Sequence, residues 1–383
     1  MGEGATARFA GVGFVGGTMG LTDQSVKCWA TAMDIRLTGT DQAHMARALE
    51  LAEGGRGRVS PNPLVGAVIA DGERVLGEGF HAQLGGLHAE RAALEDCRRR
   101  GNDASGATMY VTLEPCAHQG RQPPCADAVL ETGIARVVIA SDDPSEKASG
   151  RGPGTLRDGG VAVETADGEQ ATAARLLNQP FRKHARTGLP LVTLKLAMSL
   201  DGRTTTAAGD SSWISGAESL ALVHRWRAES DAIAVGIGTA LADDPLLTAR
   251  DRDGDRQPLR VIFDREARLP LDSQLLRTLD QAPVLIVTAP AADRDAVERL
   301  RAAGAETIHV DAIAPALAEL GRRGITSLFL EGGAALAESF AAAGEIDEAR
   351  VFVAPILLAG GTRVESLDPA ARDTLIETRF REW

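Results

Sequence analysis

One set of residues limits what this chain can fold into. His88-Ala-Glu90, Pro115-Cys116 and Cys125 place one imidazole, two thiols and one free carboxylate within about forty residues. A zinc ion in an open site takes three protein ligands of the N/S type and leaves its fourth position for water. His88, Cys116 and Cys125 can be those ligands, which leaves Glu90 free to move protons. For the three to meet, strand ends and helix starts must converge on one point. A helix N-terminus there also favours thiolate over thiol.

The pattern along the chain supplies such a fold. Residues 1–40, rich in Gly, Ala and Thr, read as a poorly ordered extension and not as a signal peptide. Asp41 is placed to cap a helix carrying Met45, Leu49 and Ala52 at helical spacing, ended by Gly54-Gly55. Ser60-Pro-Asn-Pro63 is a rigid turn into a strand over Leu64–Ala70, and Asp71-Gly72 turns a hairpin into Arg74–Gly79. His88 opens a helix running to Arg100, Thr108–Leu113 is a strand, Ala126–Thr132 a helix and Arg136–Ala140 a strand. Asp142–Gly160 is Gly-, Asp- and Ser-rich. A short strand at Val161–Glu164 and a connector with one helical piece, Ala171–Leu177, reach to Gly188. The expectation is a three-layer α/β/α domain over residues 41–188.

Leu191–Met198 starts a second series over residues 189–383. Its strands are Asp231–Gly236, Leu259–Asp264, Val284–Thr288, Thr307–Val310, Ser327–Leu330 and Arg350–Ala354. Helical patterns at Ala217–Glu229, Arg294–Ala303 and Ala334–Ala343 separate them. Such alternation predicts a largely parallel α/β sheet. Thr374–Trp383 reads as a last strand with no room for its partner.

Charge and cysteine usage exclude several function classes. A net charge of -12 argues against general nucleic-acid binding and against an anionic membrane surface. One Tyr and four Trp leave little for base stacking. Four cysteines in 383 residues make no disulfide framework, which fits the cytoplasm, and Cys97 reads as a buried thiol. No apolar run approaches the roughly 18–20 residues that span a bilayer.

H-x-E followed by P-C and a second Cys is the signature of zinc-dependent nucleobase deaminases, with the Glu as general acid/base. Here eight residues separate Cys116 from Cys125 where two are usual. Zinc acidifies a bound water towards neutrality, and Glu90 is placed to carry its proton to a ring nitrogen and a departing amine. His118 stands as a possible fourth ligand of a structural site, and His81 and His118 as pocket residues. Asn62, between two prolines, is a candidate reader of a pyrimidine edge. In the second half, Glu331-Gly-Gly333-Ala334 and Ala234-Val-Gly-Ile-Gly238-Thr239 are Gly-rich strand ends suited to a pyrophosphate. Neither is the Rossmann G-x-G-x-x-G. Arg225, Arg227 and Arg250 are candidate phosphate ligands.

These motifs resemble the bifunctional deaminase–reductase family of riboflavin biosynthesis. The likeness runs from about residue 41 to the C-terminus. It is carried by Ser60-Pro-Asn-Pro-Leu-Val-Gly66, His88-Ala-Glu90 and Thr112-Leu-Glu-Pro-Cys116 with Gly120-Arg121 and Pro123-Pro-Cys125. Further on, it is carried by Lys195-Leu-Ala-Met-Ser-Leu-Asp-Gly-Arg203, Ser212-Trp-Ile214, Leu241-Ala-Asp-Asp-Pro-Leu-Leu-Thr248 and Glu331-Gly-Gly333. The resemblance implies a cytidine-deaminase-like first domain and a second domain like dihydrofolate reductase. It implies deamination of the 2-amino group of a diaminopyrimidinone ribotide, then NADPH-dependent reduction of ribosyl to ribityl. Zinc and NADPH are the implied cofactors, and a homo-oligomer the implied assembly. By motif, the reductase substrate would meet Ser211, Arg227, Leu247, Arg250 and Glu331. The dinucleotide would meet Ala197, Trp213, Thr239, Asp243 and the helix start Gly333-Ala334-Ala335-Leu336-Ala337-Glu338-Ser339. Arg265 would suit its 2'-phosphate, and Lys195 and Asp201 are possible proton carriers.

The chain departs from the family in two places. Asp143-Pro144 is followed by Ser145-Glu146 and then Gly150-Arg-Gly152, where the family has Asn-Pro before a Gly-x-Gly. The family's pattern also runs past Trp383 into a final strand, so the second sheet is expected to lack an edge. Rival readings are a deaminase with a scaffold-like, inactive reductase half, and a binding protein with structural zinc. The intact Glu90 counts against the second.

Overall fold

Thr38, three residues ahead of the expected cap Asp41, caps the first helix. Its hydroxyl accepts the Asp41 N–H, and the Asp41 carboxylate accepts the Thr38 N–H at 3.0 Å. This is a capping box with its acid in the third helical position, so Asp41 lies inside α1 (Gly39–Glu53) and does not cap it. The computed structural model describes residues 37–383 except 121, 147, 205–215, 251–255, 358–373 and 380–382.

The first sheet is built as the patterning predicts. β1 (Gly66–Asp71) and β2 (Arg74–Phe80) form the hairpin around Gly72, whose φ of 57° only glycine adopts freely. They are followed by α2 (Ala89–Arg99), β3 (Thr108–Val111), α3 (Cys125–Glu131), β4 (Arg136–Ile139), α4 (Arg151–Asp158), β5 (Ala162–Thr165), α5 (Gly168–Leu177) and α6 (Gln179–Thr187). The strand order is β2-β1-β3-β4-β5, with β3, β4 and β5 parallel and β1 antiparallel to both neighbours. Alternation along β1 sends Ala67 and Ile69 to one face, against Ala93 and Cys97 of α2, Val129 of α3 and Leu156 of α4. Val68 and Ala70 face Met45 and Ala48 of α1 and Ala174 of α5. The result is three layers. Cys97 is a buried free thiol, as expected.

Two helices here escape sequence reading. In α4, Pro153 lies in the first turn, where its missing N–H leaves no helical bond unmade. Gly152 is dictated by contact, since a Cβ there would stand 1.8 Å from the Pro115 carbonyl oxygen. That approach clamps α4 against the residue preceding Cys116. In α6, Arg182 and Lys183 look like surface charges, yet each is only 1% exposed.

The second sheet contains β6 (Leu191–Ser199), β7 (Ala232–Gly236), β8 (Leu259–Phe263), β9 (Val284–Thr288), β10 (Glu306–His309), β11 (Ser327–Leu330), β12 (Glu348–Ala354) and β13 (Thr374–Arg379). Its order is β10-β9-β8-β7-β11-β6-β12-β13, parallel except at the last pair. The closing strand does have a partner: β13 runs antiparallel to β12 from Glu348↔Arg379 to Val353↔Thr374. The helices are α7 (Ala217–Glu229), α8 (Ile237–Asp243), α9 (Gln274–Arg277), α10 (Arg294–Ala302), α11 (Ile313–Arg322) and α12 (Ala334–Ala342). Ile233, Val235, Ile262 and Phe329 pack on the α7 and α10 side, and Ala232, Ala234, Leu328 and Leu330 on the α11 and α12 side. Among the described residues no helix is long and apolar enough to cross a membrane.

Candidate active sites

His88 is the N-cap of α2, Cys116 lies in the loop beyond β3, and Cys125 is the first residue of α3. Strand end and helix starts thus converge as the metal reading requires. The His88 Nδ1 stands 3.4 Å from the Cys125 Sγ and 3.7 Å from the Cys116 Sγ. Tetrahedral zinc with ordinary Zn–S and Zn–N bonds sets its ligand atoms about 3.5–3.8 Å apart. Among the described residues these three side chains form the metal-ligating cluster, and His118 is not part of it. The protonation of the group also asks for a cation. Hydrogen bonding from Cys125, opposed by burial and helped by His88, draws the Cys116 thiol down to about 4, while that same bond and burial drive Cys125 up. A dication at the centre removes the conflict by stabilising both thiolates. The residues fit zinc.

Glu90 sits in the first turn of α2 and is 4% exposed. Burial, then the neighbouring Cys116 charge, pushes its carboxyl up to about 7. It lines a cavity of about 390 Å³ with His88, Cys116, Asn62 and His81. Asn62 donates from Nδ2 to His81 Nε2 at 3.1 Å, and His81 Nδ1 donates to the Leu87 carbonyl at 2.9 Å. That network assigns the neutral tautomer of His81, in keeping with a pKa lowered by burial. His118 also lines the cavity, with a buried Nδ1 that has no hydrogen-bond partner among the described residues.

Sequence reading missed Glu114, Gln122 and Phe181 among the walls of this cavity, while Asp143 and Ser145 line it from the loop expected to flank the pocket. Glu114 accepts the Gly150 N–H at 2.9 Å, and burial above all raises its carboxyl to about 7. Its position two residues before Cys116 was the available signal. The departing loop reaches the cavity through Asp143 and Ser145, whose N–H donates to Asp143 Oδ1 at 2.8 Å. Phe181 arrives from α6, which nothing in the local sequence announced.

In the second sheet, β7 and β11 are neighbours, and the helices α8 and α12 open directly from their glycines. A cleft of about 500 Å³ above them is lined by Lys195, Ala197, Arg227, Thr239, Asp243, Leu247, Glu331, Gly333, Ala334, Ala335 and Leu336. A second hollow of about 930 Å³ shares Gly236, Gly238, Ala335 and Leu336 and adds Arg265, Arg268 and Ser339. The structure thus brings together most of the expected residues. Ala337 instead packs into the core, Glu338 lines neither hollow, and Arg225 and Arg250 are exposed and outside both linings. Ser211 and Trp213 lie outside the described residues. Arg227 forks onto Glu331, Nε to Oε1 at 2.6 Å and one terminal nitrogen to Oε2 at 2.9 Å, and also donates to the Thr248 carbonyl. Burial lowers the Lys195 pKa, against the Glu331 charge and with the Arg227 charge. Asp201 takes the Ser199 hydroxyl at 2.6 Å and lines neither hollow.

Comparison with known proteins agrees with both halves. The model of the cytidine and deoxycytidylate deaminase zinc-binding region matches residues 38–141, and that of the RibD C-terminal domain matches 190–381. The riboflavin biosynthesis protein RibD of Bacillus amyloliquefaciens is 42% identical over 334 residues, covering 85% of this chain and 87% of its own. That of Escherichia coli K12 is 38% identical over 335 residues, covering 84% and 90%. Among solved structures, the deaminase/reductase of Thermotoga maritima is similar with a TM-score of 0.78 at 35% identity, over 89% of this chain and 98% of that one. Acinetobacter baumannii RibD gives 0.74 at 38% identity, over 85% and 89%.

Proposed function

The chain belongs to the RibD family of bifunctional deaminase–reductases of riboflavin biosynthesis, and from that premise we propose how its residues divide the two reactions. It is a zinc-dependent deaminase joined to an NADPH-dependent reductase. We assign the first activity to residues 41–188 and the second to 189–383.

The substrate of the first step is the diaminohydroxyphosphoribosylaminopyrimidine named for the Thermotoga relative. Hydrolysis exchanges the ring 2-amino group for oxygen and releases ammonia. His88, Cys116 and Cys125 hold the zinc, which when bound supplies an acidified water at neutral pH. Glu90 takes a proton at its carboxylate, passes it to the ring nitrogen, and serves the departing amine in the same way. Its burial suits a group that must both accept and give a proton near neutrality. Asn62, its amide fixed by His81, reads the pyrimidine edge. The observation that carries this reading is a buried free carboxyl beside a three-ligand N/S₂ cluster in one cavity. A closed structural site has no use for it.

When bound, NADPH would supply the hydride for the ribosyl carbon bonded to nitrogen, and this chain's own residues must deliver a proton to the ring oxygen as the sugar opens. Lys195, whose ammonium is made a better donor by burial, is the proton source. Arg227 and Glu331 fix each other across the cleft and present the substrate's polar side, with Leu247 as an apolar wall. Backbone N–H groups of Gly333, Ala334 and Ala335, at the start of the Gly333–Ser339 stretch, are the ones left to hold the pyrophosphate. Arg265 faces the 2'-phosphate that distinguishes NADPH from NADH. Family membership favours a homo-oligomer and a cytoplasmic location.

Glu90→Gln tests the assignment. It should lower deamination by about 10²–10⁴-fold while zinc content and reduction of the deaminated ribotide stay unchanged. Full deaminase activity in that variant would remove Glu90 from the reaction.

A further inference from the structure

The Ser60–Pro63 turn that carries Asn62 has few anchors of its own. Pro61 and Pro63 have no N–H, and within the turn only the Asn62 N–H makes a backbone bond, to the Val59 carbonyl at 2.9 Å. Its position is fixed by side chains from elsewhere. On one side the Asn178 carboxamide grips both backbone groups of Leu64, at 2.8 and 2.9 Å. On the other, the Ser60 hydroxyl donates to Asp231 Oδ2 at 2.7 Å and meets the Thr326 hydroxyl at 3.2 Å. Asp231 and Thr326 belong to the second sheet's domain, 171 and 266 residues further along the chain.

The direction of influence follows from how firmly each partner is held. Asp231 is 2% exposed, and Oδ2 also accepts the Thr326 N–H and hydroxyl, each at 2.7 Å, and the Ser327 N–H at 3.2 Å. Its Oδ1 takes Arg256 at 2.7 Å. Asp231 is thus fixed by Thr326 and by Ser327 at the start of β11 whether or not Ser60 is present, whereas Ser60 has no comparable hold on its own turn. We propose that Asp231, a residue of the reductase half, positions the substrate-reading Asn62 of the deaminase through Ser60, so that the deaminase pocket is completed by the other domain. This rests on the reading of the zinc-lined cavity as the deaminase site.

The same chain supplies an internal control. Asp231 precedes the N-terminal end of β7, while the reductase cleft opens at Gly236 on its other end. Five steps along the strand separate the two by about 16 Å. Removing the Ser60 hydroxyl therefore reaches the deaminase pocket and not the reductase cleft. An edge-reading amide grips substrate and transition state alike, so its misplacement appears in KM and not in kcat.

The test uses the full zinc-loaded chain. Ser60→Ala should raise the deaminase KM for the diaminopyrimidine ribotide about five- to tenfold, the cost of one lost hydrogen bond. Deaminase kcat, zinc content and reductase kcat/KM should stay within twofold, and Ser60→Thr should return KM to the wild-type value. In an Asn62→Ala background, Ser60→Ala should change the deaminase KM by less than twofold, because the residue it acts through is gone. A wild-type KM in Ser60→Ala overturns the proposal. So does a full additional effect in the Asn62→Ala background, or a joint fall of kcat, zinc content and reductase activity, which would mark a merely structural role. Absence of deamination in zinc-loaded wild type would instead overturn the reading on which the proposal rests.

Discussion

Asp41 has its carboxylate committed three ways: to the Thr38 cap, to the Tyr110 hydroxyl at 2.8 Å and to Arg136 at 2.7 Å. Burial alone would raise its pKa, but the hydrogen bonds from Arg136, Tyr110 and Thr38 outweigh it and hold the group well below the usual carboxylate range. A carboxylate depressed in the folded state stabilises fully above its unfolded pKa of about 3.9 and loses that contribution as pH falls towards the folded value. Asp41→Asn should therefore lower the urea-unfolding free energy by roughly 1–3 kcal/mol at pH 7. The gap to wild type should narrow steadily below about pH 4. A gap that does not change between pH 7 and pH 3 would show that the Asp41 charge adds nothing. Asp41 was legible as a helix-start residue, but its exact role depended on Thr38. The grouping of His88, Cys116 and Cys125, with Glu90 in the cavity beside them, was legible because the proposed chemistry needs specific atom types in a fixed order. Glu114 and Phe181 were not, since a pocket wall needs only proximity, which local spacing does not encode.

At the scale of elements, α6 is the instructive case. Its Arg182-Lys183 pair reads as a solvated face, yet both find partners far along the chain. Lys183 pairs with Asp347 at 2.6 Å, each side chain 1% exposed, and Arg182 binds Ser141, Asp142 and the Trp383 carbonyl. Asp347 also accepts the Val192 N–H at 2.8 Å and the Trp383 indole N–H at 3.0 Å. Buried charge of this kind is invisible to a reading that sees one segment at a time. Breaking one side of a buried pair leaves an uncompensated charge, so Lys183→Met should cost roughly 3–5 kcal/mol in urea unfolding. Lys183→Met with Asp347→Leu should cost clearly less than the single change. If the double variant is the less stable, the pair is not the source of the effect. The long parallel strands, by contrast, were read almost to the residue, because runs such as Val284–Thr288 are apolar on both faces.

For the whole molecule, the two sheets share one connector and several cross-domain bonds, and the proposed reactions place their sites in two separate cavities. The order of elements made the two sheets readable in the sequence. What stayed hidden was the pairing of β13 with β12, the ion pair of Lys183 in α6 with Asp347, and the bond of Ser60 to Asp231, all products of long-range contact. The most direct test is mass spectrometry of the products formed by the purified, zinc-loaded chain from the diaminopyrimidine ribotide, with and without NADPH. The deaminated ribosyl compound is expected without NADPH and the ribityl compound with it. Deamination that NADPH leaves unchanged would contradict the reductase assignment, and neither product in protein shown to hold zinc would contradict the account at its centre.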